Sequence, residues 1–249
     1  KENDWILQAT YNDKTFIRNT FTFDMARISG EYAARTQHCE VIINGEYMGI
    51  YFLCEKIKVD DNRVIVEKLT AADNTPPLVT GGYIFKHDYS AAGWDSQWTD
   101  PNCPGTPLQF QYYYPEPNDI SAQQGNYLKS YVDSFETVLL GPNFANPVTG
   151  FRKYIDEKSF IDYLLINEVA LNGDGFKKSM YFHKDRSKKI VAGPVWDFDW
   201  ALKYSPWIPN DLSGYFHTTD PCSQDVPILF WWKRMNQDPV FANSVKCRY

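Results

Sequence analysis

Asp174 and Asp197 are the carboxylates of this chain whose surroundings point most directly to chemistry. Asp174 lies in Asn172-Gly173-Asp174-Gly175, and Asp197 follows 23 positions later in Gly193-Pro194-Val195-Trp196-Asp197-Phe198-Asp199. The run between them reads as a β-hairpin. Residues 179–184 form one strand, 185–188 the turn and 189–195 the return strand. A hairpin brings its ends together, with paired strands about 5 Å apart. Both aspartates should therefore reach one ligand at one edge of a sheet. Carboxylates gathered in this way repel unless a proton or a metal sits between them. Oxygen ligands of this type suit Mg²⁺ or a similar hard cation.

The elements that must position this pair divide the chain by character. The first half is strand-rich. Residues 5–10 read as a strand, and 14–28 carry helical spacing through Phe16, Ile17, Phe21, Met25 and Ile28. Residues 39–43 and 49–57 flank Asn44-Gly45, a hairpin signal. Residues 63–69 alternate as a half-buried strand does, 82–87 and 108–114 add two more strands, and 88–107 read as a long loop. The second half is helical. Residues 121–140 form a helix stopped by Gly141-Pro142, and 159–171 form another with Ser159 as N-cap. After the hairpin, 203–225 read as loop, and 228–234 and 240–247 as two closing helices. The expected architecture is α+β and two-lobed, with a β-rich lobe of one helix over residues 1–116 and a helical lobe over 117–249 carrying the hairpin.

The 249 residues, 43% of them hydrophobic, suffice for a large core. The aromatic share of 16%, with 17 Tyr and 8 Trp, serves core packing and ligand stacking equally well. A net charge of −6 argues against nucleic acid as the main partner, because phosphate backbones call for a basic face. No stretch reaches the roughly 20 apolar residues of a membrane span. The opening Lys1-Glu2-Asn3-Asp4-Trp5 reads as the interior of a longer protein, without a signal sequence. Five cysteines with no CxxC pair give no support for zinc. Cys103 and Cys222 lie in turn-rich segments that could pair in an oxidising compartment, whereas Cys39 and Cys54 sit in strand-like runs as free thiols.

The order of parts is that of protein-kinase-like phosphotransferases: a strand-end lysine, a loop aspartate, a hairpin, then a second aspartate motif. The sequence resembles the CotH kinase family, atypical kinases first known from spore coats. The matching stretches are residues 13–19, 43–57, Gly81-Gly82-Tyr83, 167–185 and 193–202. The resemblance implies that Asp174 orients the acceptor hydroxyl and takes its proton, and that Asp197 holds the Mg²⁺ (or Mn²⁺) bridging the phosphates of ATP. It implies that Asp199 binds a second ion or positions the first, and that Lys56 or Arg18 neutralises phosphate charge. Glu55 would orient one of these bases, and Trp196 would pack beside the nucleotide. The partners it implies are a nucleotide and a protein bearing a Ser or Thr acceptor. The location it implies is extracytoplasmic, at a cell surface or in a coat.

The chain departs from ordinary kinases in lacking a G-x-G-x-x-G loop and an H-R-D motif. Ser179 stands five residues after Asp174, where those enzymes place a metal-binding Asn, so one or two metals stay open. Blander readings stand beside these roles. They make Lys56 a solvated strand-end lysine, Arg18 the partner of an acidic neighbour, Asp199 the cap of a helix starting near Trp200, and Trp196 a core residue. His87 and His183 read as structural. Trp94, Trp98 and Tyr112 to Tyr114 either line a groove for a glycan or peptide or pin their loops. Two rival functions follow: a non-catalytic surface or adhesion module that keeps a kinase-like fold, and a glycosidase using Asp174 and Asp197 at about 5 Å or about 6.5–9.5 Å.

Overall fold

The computed structural model describes residues 3–89, 92–101, 103–202, 216–218 and 226–249. Its strands form two antiparallel sheets. The smaller is built from β1 (Trp5–Gln8), β2 (Thr36–Ile43) and β3 (Glu46–Glu55) in the order β1-β3-β2. Asn44 and Gly45 both take positive φ at the β2–β3 turn, as a two-residue hairpin requires. Between β1 and β2 runs the helix α1 (Arg18–Ile28).

The larger sheet contains β4 (Tyr83–His87), β5 (Gly93–Asp95), β6 (Gln109–Tyr114), β7 (Met180–Lys184) and β8 (Ile190–Ala192), in the order β5-β6-β4-β7-β8. This sheet takes strands from both sides of residue 116. Strand β7 is hydrogen-bonded to β4, with Tyr83 opposite Lys184 and His87 opposite Met180. The helices are α2 (Ala122–Leu140), α3 (Glu157–Val169), α4 (Trp231–Met235) and α5 (Pro239–Arg248). The chain is thus mixed α and β, as the sequence leads one to expect.

The aromatic excess is spent mainly on the core. Trp231 and Trp232 are fully buried and pack against Phe160 and Phe182, and Trp231 also meets Phe110 and Phe135. The two indole N–H groups donate to Glu136 Oε1 and to the Phe160 carbonyl at 2.8 and 2.9 Å, so neither ring costs an unmet donor.

Several local expectations are corrected. Residues 63–69 form no strand. Their only ladder contact is one bridge from Val59 to Val64. The backbone N–H groups of Glu67 and Leu69 go instead to the Asp185 carboxylate and the Tyr114 hydroxyl, at 2.9 and 3.2 Å. The 88–107 segment contains strand β5. There Gly93 lets two backbones approach so closely that a Cβ would fall 1.8 Å from the Phe110 carbonyl oxygen. Helix α3 is capped by Asp156, which accepts from the Ser159 N–H at 2.9 Å. Ser159 lies inside the helix and accepts from the Ala192 N–H at 3.0 Å, joining α3 to β8. The last helix begins at Pro239 behind Asp238, an N-cap followed by proline. Trp94 is buried and stacks on Phe110 at 5.4 Å, and Trp98 donates to Thr137 Oγ1 at 3.1 Å, so both indoles fasten their loop. Cys103 is disulfide-bonded and Cys39, Cys54 and Cys247 are free, while Cys222 and residues 203–215 and 219–225 lie outside the described residues. No described helix is long and apolar enough to cross a membrane.

Candidate active site

The loop carrying Asp174 leaves α3 and is pinned from within. Asn167, buried on α3, donates through Nδ2 to the Tyr163 carbonyl at 2.9 Å and accepts from Asn172 Nδ2 at 3.0 Å. Asn172 in turn accepts from the Asp174 N–H at 3.3 Å, and the Tyr163 hydroxyl donates to the Gly175 carbonyl at 2.8 Å. Gly175 packs directly onto Asn167, since a Cβ there would fall 2.0 Å from Asn167 Oδ1. The Gly-Asp-Gly run is therefore no flexible tether. Its glycine at 175 serves close approach, and the carboxylate it presents has a quarter of its side chain exposed. Lys177 and Lys178 stand beside that carboxylate, with ammonium groups 3.4 and 3.7 Å from Asp174 Oδ1.

The hairpin then folds as its sequence requires, pairing Phe182 with Ala192 and Lys184 with Ile190. It returns the chain to Asp197, which holds a positive φ of 67°. A non-glycine residue in that region carries strain, and such strain gathers at functional sites. Ser179, also at positive φ, donates its hydroxyl to Asp197 Oδ2 at 3.0 Å. Burial raises the Asp197 pKa, and the charges of Asp199 and Asp174 raise it further, against the opposing Ser179 hydrogen bond. Asp197 and Asp199 lie close enough for their carboxyls to act on one another. The two aspartate motifs thus converge.

The start of α1 closes the site from the other side. Asn12 donates through Nδ2 to Asp199 Oδ2 at 2.9 Å, and Arg18 donates through Nη1 to the Asp199 carbonyl at 3.0 Å. Asn19 Oδ1 accepts from the Phe198 N–H at 2.7 Å. Asp13 is fully buried and organises this turn, accepting from the backbone N–H groups of Thr15 and Arg18, both at 2.9 Å, and lying 3.5 Å from Arg18 Nε. These contacts, with burial opposing them, hold its carboxyl below the usual range. Trp196 is half-buried, stacked on Phe23 at 5.6 Å and edge-on to Tyr181 at 6.4 Å. Asp199 and Trp200 lie in a turn, and no helix begins there among the described residues.

The remaining sequence candidates have neighbours of their own. Glu55 is buried and bound by two arginines: Arg35 grips it through both the side chain and the backbone N–H, and Arg63 Nε lies 3.6 Å away. Its partners are therefore neither Lys56 nor Arg18. Lys56 lines a cleft between the segment that follows β3 and the end of β6. His87 is buried and His183 partly buried, each with its ring against a backbone carbonyl. Residues the sequence reasoning did not single out include Asn12, Asp13, Asn19, Lys177 and Lys178. The first three lie in or next to the 13–19 stretch that carries the family resemblance, and the lysine pair follows the Asp174 loop directly. Either position was a usable signal.

Among the described residues no three His, Cys, Asp or Glu side chains form a metal cage by themselves. Mg²⁺ does not demand one. It is held by one or two carboxylates together with substrate phosphates and water. The donor set here is two neighbouring carboxylates, Asp197 and Asp199, with the Ser179 hydroxyl beside the first. That set is all oxygen and fits such an ion.

Beyond geometry, no curated protein matches the chain. The family model described as CotH kinase protein matches residues 2–249, and the chain belongs to this family of kinase-like proteins.

Proposed function

We propose that the protein is a protein kinase that transfers the γ-phosphoryl group of ATP to a Ser or Thr hydroxyl of a surface or coat protein. The observation that carries this reading is the gathering of Asp197, Asp199 and the Ser179 hydroxyl in one place, with Asp174 close enough to disturb Asp197. In the reaction, the acceptor oxygen forms a bond to the γ-phosphorus, and the bond from that phosphorus to the β–γ bridging oxygen breaks. ADP leaves, and the hydroxyl proton passes to Asp174. Mg²⁺ or Mn²⁺ held by Asp197 and Asp199, with Ser179, would neutralise phosphate charge. Arg18, fixed by Asp13 and the Asp199 carbonyl, and the Lys177–Lys178 pair supply positive charge from the protein. Trp196 offers a partly open ring at the same place. Catalysis of this kind rests on positioning and charge, with no covalent enzyme intermediate.

The test is purified protein with labelled ATP and Mg²⁺ or Mn²⁺. Autophosphorylation or transfer to an extract of surface proteins should appear, and Asp174→Asn should reduce it by at least 100-fold, on the order expected for a positioned base. A thermal shift with ATP and Mg²⁺ should vanish in Asp197→Asn. Absence of both transfer and shift would sink the reading and favour the non-catalytic module.

A further inference from the structure

Strand β2 lies at the edge of the smaller sheet. In the order β1-β3-β2 it pairs with β3, and among the described residues no strand covers its other side. The parity of that pairing fixes which backbone groups are left over. The Glu55 N–H donates to the Arg35 carbonyl at 3.1 Å, just outside the Thr36–Cys54 pair, so Thr36 itself gives β3 no hydrogen bond. The N–H and C=O groups of Thr36, His38 and Glu40 therefore point away from β3. Ile42 continues the alternation, because the extra residue of the bulge, Met48, lies on β3. Among the described residues only the exposed Gln37 amide reaches one of these groups, donating to the His38 carbonyl at 3.2 Å. Long edges are ordinarily blunted by proline, lysine or a bulge of their own. Residues 36–43 contain neither proline nor lysine, and His38, Glu40, Ile42 and Ile43 are exposed.

We propose that the β2 edge is the interface of a homodimer, pairing antiparallel with β2 of a second copy about a two-fold axis at Cys39. The four outward residues lie symmetrically about position 39, so this register matches all of them: His38 with Glu40 and Thr36 with Ile42, each pairing made twice. The neighbouring registers do worse. An axis at His38 sets imidazole against imidazole and leaves Ile42 unmatched. An axis at Glu40 sets carboxylate against carboxylate, which is destabilising, and leaves Thr36 unmatched. With the axis at Cys39, each Glu40 carboxylate stands opposite a His38 imidazole. The Phe16 carbonyl takes His38 Nε2 at 2.6 Å, which leaves Nδ1 for the carboxylate, and the Tyr47 hydroxyl takes only Glu40 Oε1, at 3.2 Å. Two three-stranded sheets become one of six strands, and the two bare edges become its centre. The interface does not rest on the phosphotransfer reading.

Cys39, a free and half-buried thiol, reports on this geometry. Opposite its own copy it forms a non-hydrogen-bonded pair with Cα atoms about 4.5 Å apart, inside the range of about 4.4–6.8 Å that a disulfide spans. The exposed thiol of Cys247 is removed throughout by Cys247→Ser. Sedimentation equilibrium of the Cys39→Ser protein should show a reversible dimer, since the interface itself is non-covalent. With Cys39 present, diamide, which takes up the two thiol hydrogens, should turn that dimer into a covalent one. Glu40→Pro removes an outward N–H where an edge strand tolerates proline, and should leave a monomer with an unchanged far-ultraviolet spectrum. Glu40→Lys should weaken the dimer at least about 10-fold, because each altered pair is made twice. His38→Glu/Glu40→Lys should restore it, and this charge swap decides the matter if the proline variant misfolds. A monomer at every concentration would overturn the proposal. So would a dimer indifferent to the Glu40 changes, or one that diamide fails to lock.

Discussion

Glu136→Gln should stabilise the protein at alkaline pH and change little in acid. Glu136 lies on α2 with no exposed surface, accepting from Trp231 Nε1 at 2.8 Å and from the Ser96 hydroxyl. Burial pushes its pKa up from 4.5 to about 7, and the two hydrogen bonds only partly oppose the shift. A folded-state pKa above the unfolded one means that the folded state holds the proton more tightly. The stabilisation is complete below about 4.5, falls as pH rises through the window from about 4.5 to about 7, and is gone above it. At about 1.4 kcal/mol per unit, the full swing is roughly 3 kcal/mol, and about 2.5 kcal/mol of it lies between pH 5 and pH 8.5. Glutamine copies the protonated carboxyl: its oxygen can accept from Trp231, and its amide can donate to Ser96. Urea unfolding of both proteins at the two pH values gives the difference directly, with contributions from other groups cancelling. The stability gap between variant and wild type should widen by about 2.5 kcal/mol from pH 5 to pH 8.5, equivalent to roughly 5–10 °C in melting temperature for a chain of this size. A gap that stays constant would show that Glu136 is ionised in the folded state at both pH values, and the reasoning from burial would fail.

Gly175→Ala should push the Asp174 loop off Asn167. An expected loss of about 1–3 kcal/mol, read by thermal denaturation, follows from overpacking, and phosphotransfer should fall with it. Ser179→Asn should be tolerated, because Asn accepts positive φ better than most residues. It should tighten Mn²⁺ binding in calorimetry by adding an amide oxygen beside Asp197, and weaker binding would argue against Ser179 as a ligand position. Lys184 is buried, with its ammonium 4.4 Å from the Tyr131 ring centroid, and burial lowers its pKa to about 8. Between about 8 and 10.5 the folded state sheds this proton before the unfolded one, so stability relative to Lys184→Met should climb across that window. Unfolding midpoints at pH 7.5 and 10 check the direction.

Much of the site was legible because its logic is local. The hairpin pattern of residues 179–195 fixes where Asp174 and Asp197 must meet, and Asn44-Gly45 identifies its own turn. What stayed hidden depends on contacts between distant segments. Nothing near Asn12 or Arg18 in the sequence tells that they reach Asp199, more than 180 residues away. Glu55-Lys56 looks like one functional pair, yet adjacent residues on an extended segment point to opposite sides, and Glu55 turns inward to two arginines. Residues 63–69 alternate correctly for a strand. Alternation reports only which side is buried, and here a carboxylate and a phenol take the backbone donors that a neighbouring strand would otherwise receive.

The pairing of β4 with β7 also sets the order in which the protein can become competent. Tyr83 meets Lys184 only after some 100 intervening residues have been synthesised and the loop between them closed. Until then the edge of β4 is a bare row of N–H and C=O groups beside the apolar Tyr83, Ile84 and Phe85. A nascent or truncated chain ending before the hairpin therefore presents a sticky strand edge and no assembled site. Maturation of the carboxylate pair is tied to the same late event that removes this aggregation hazard.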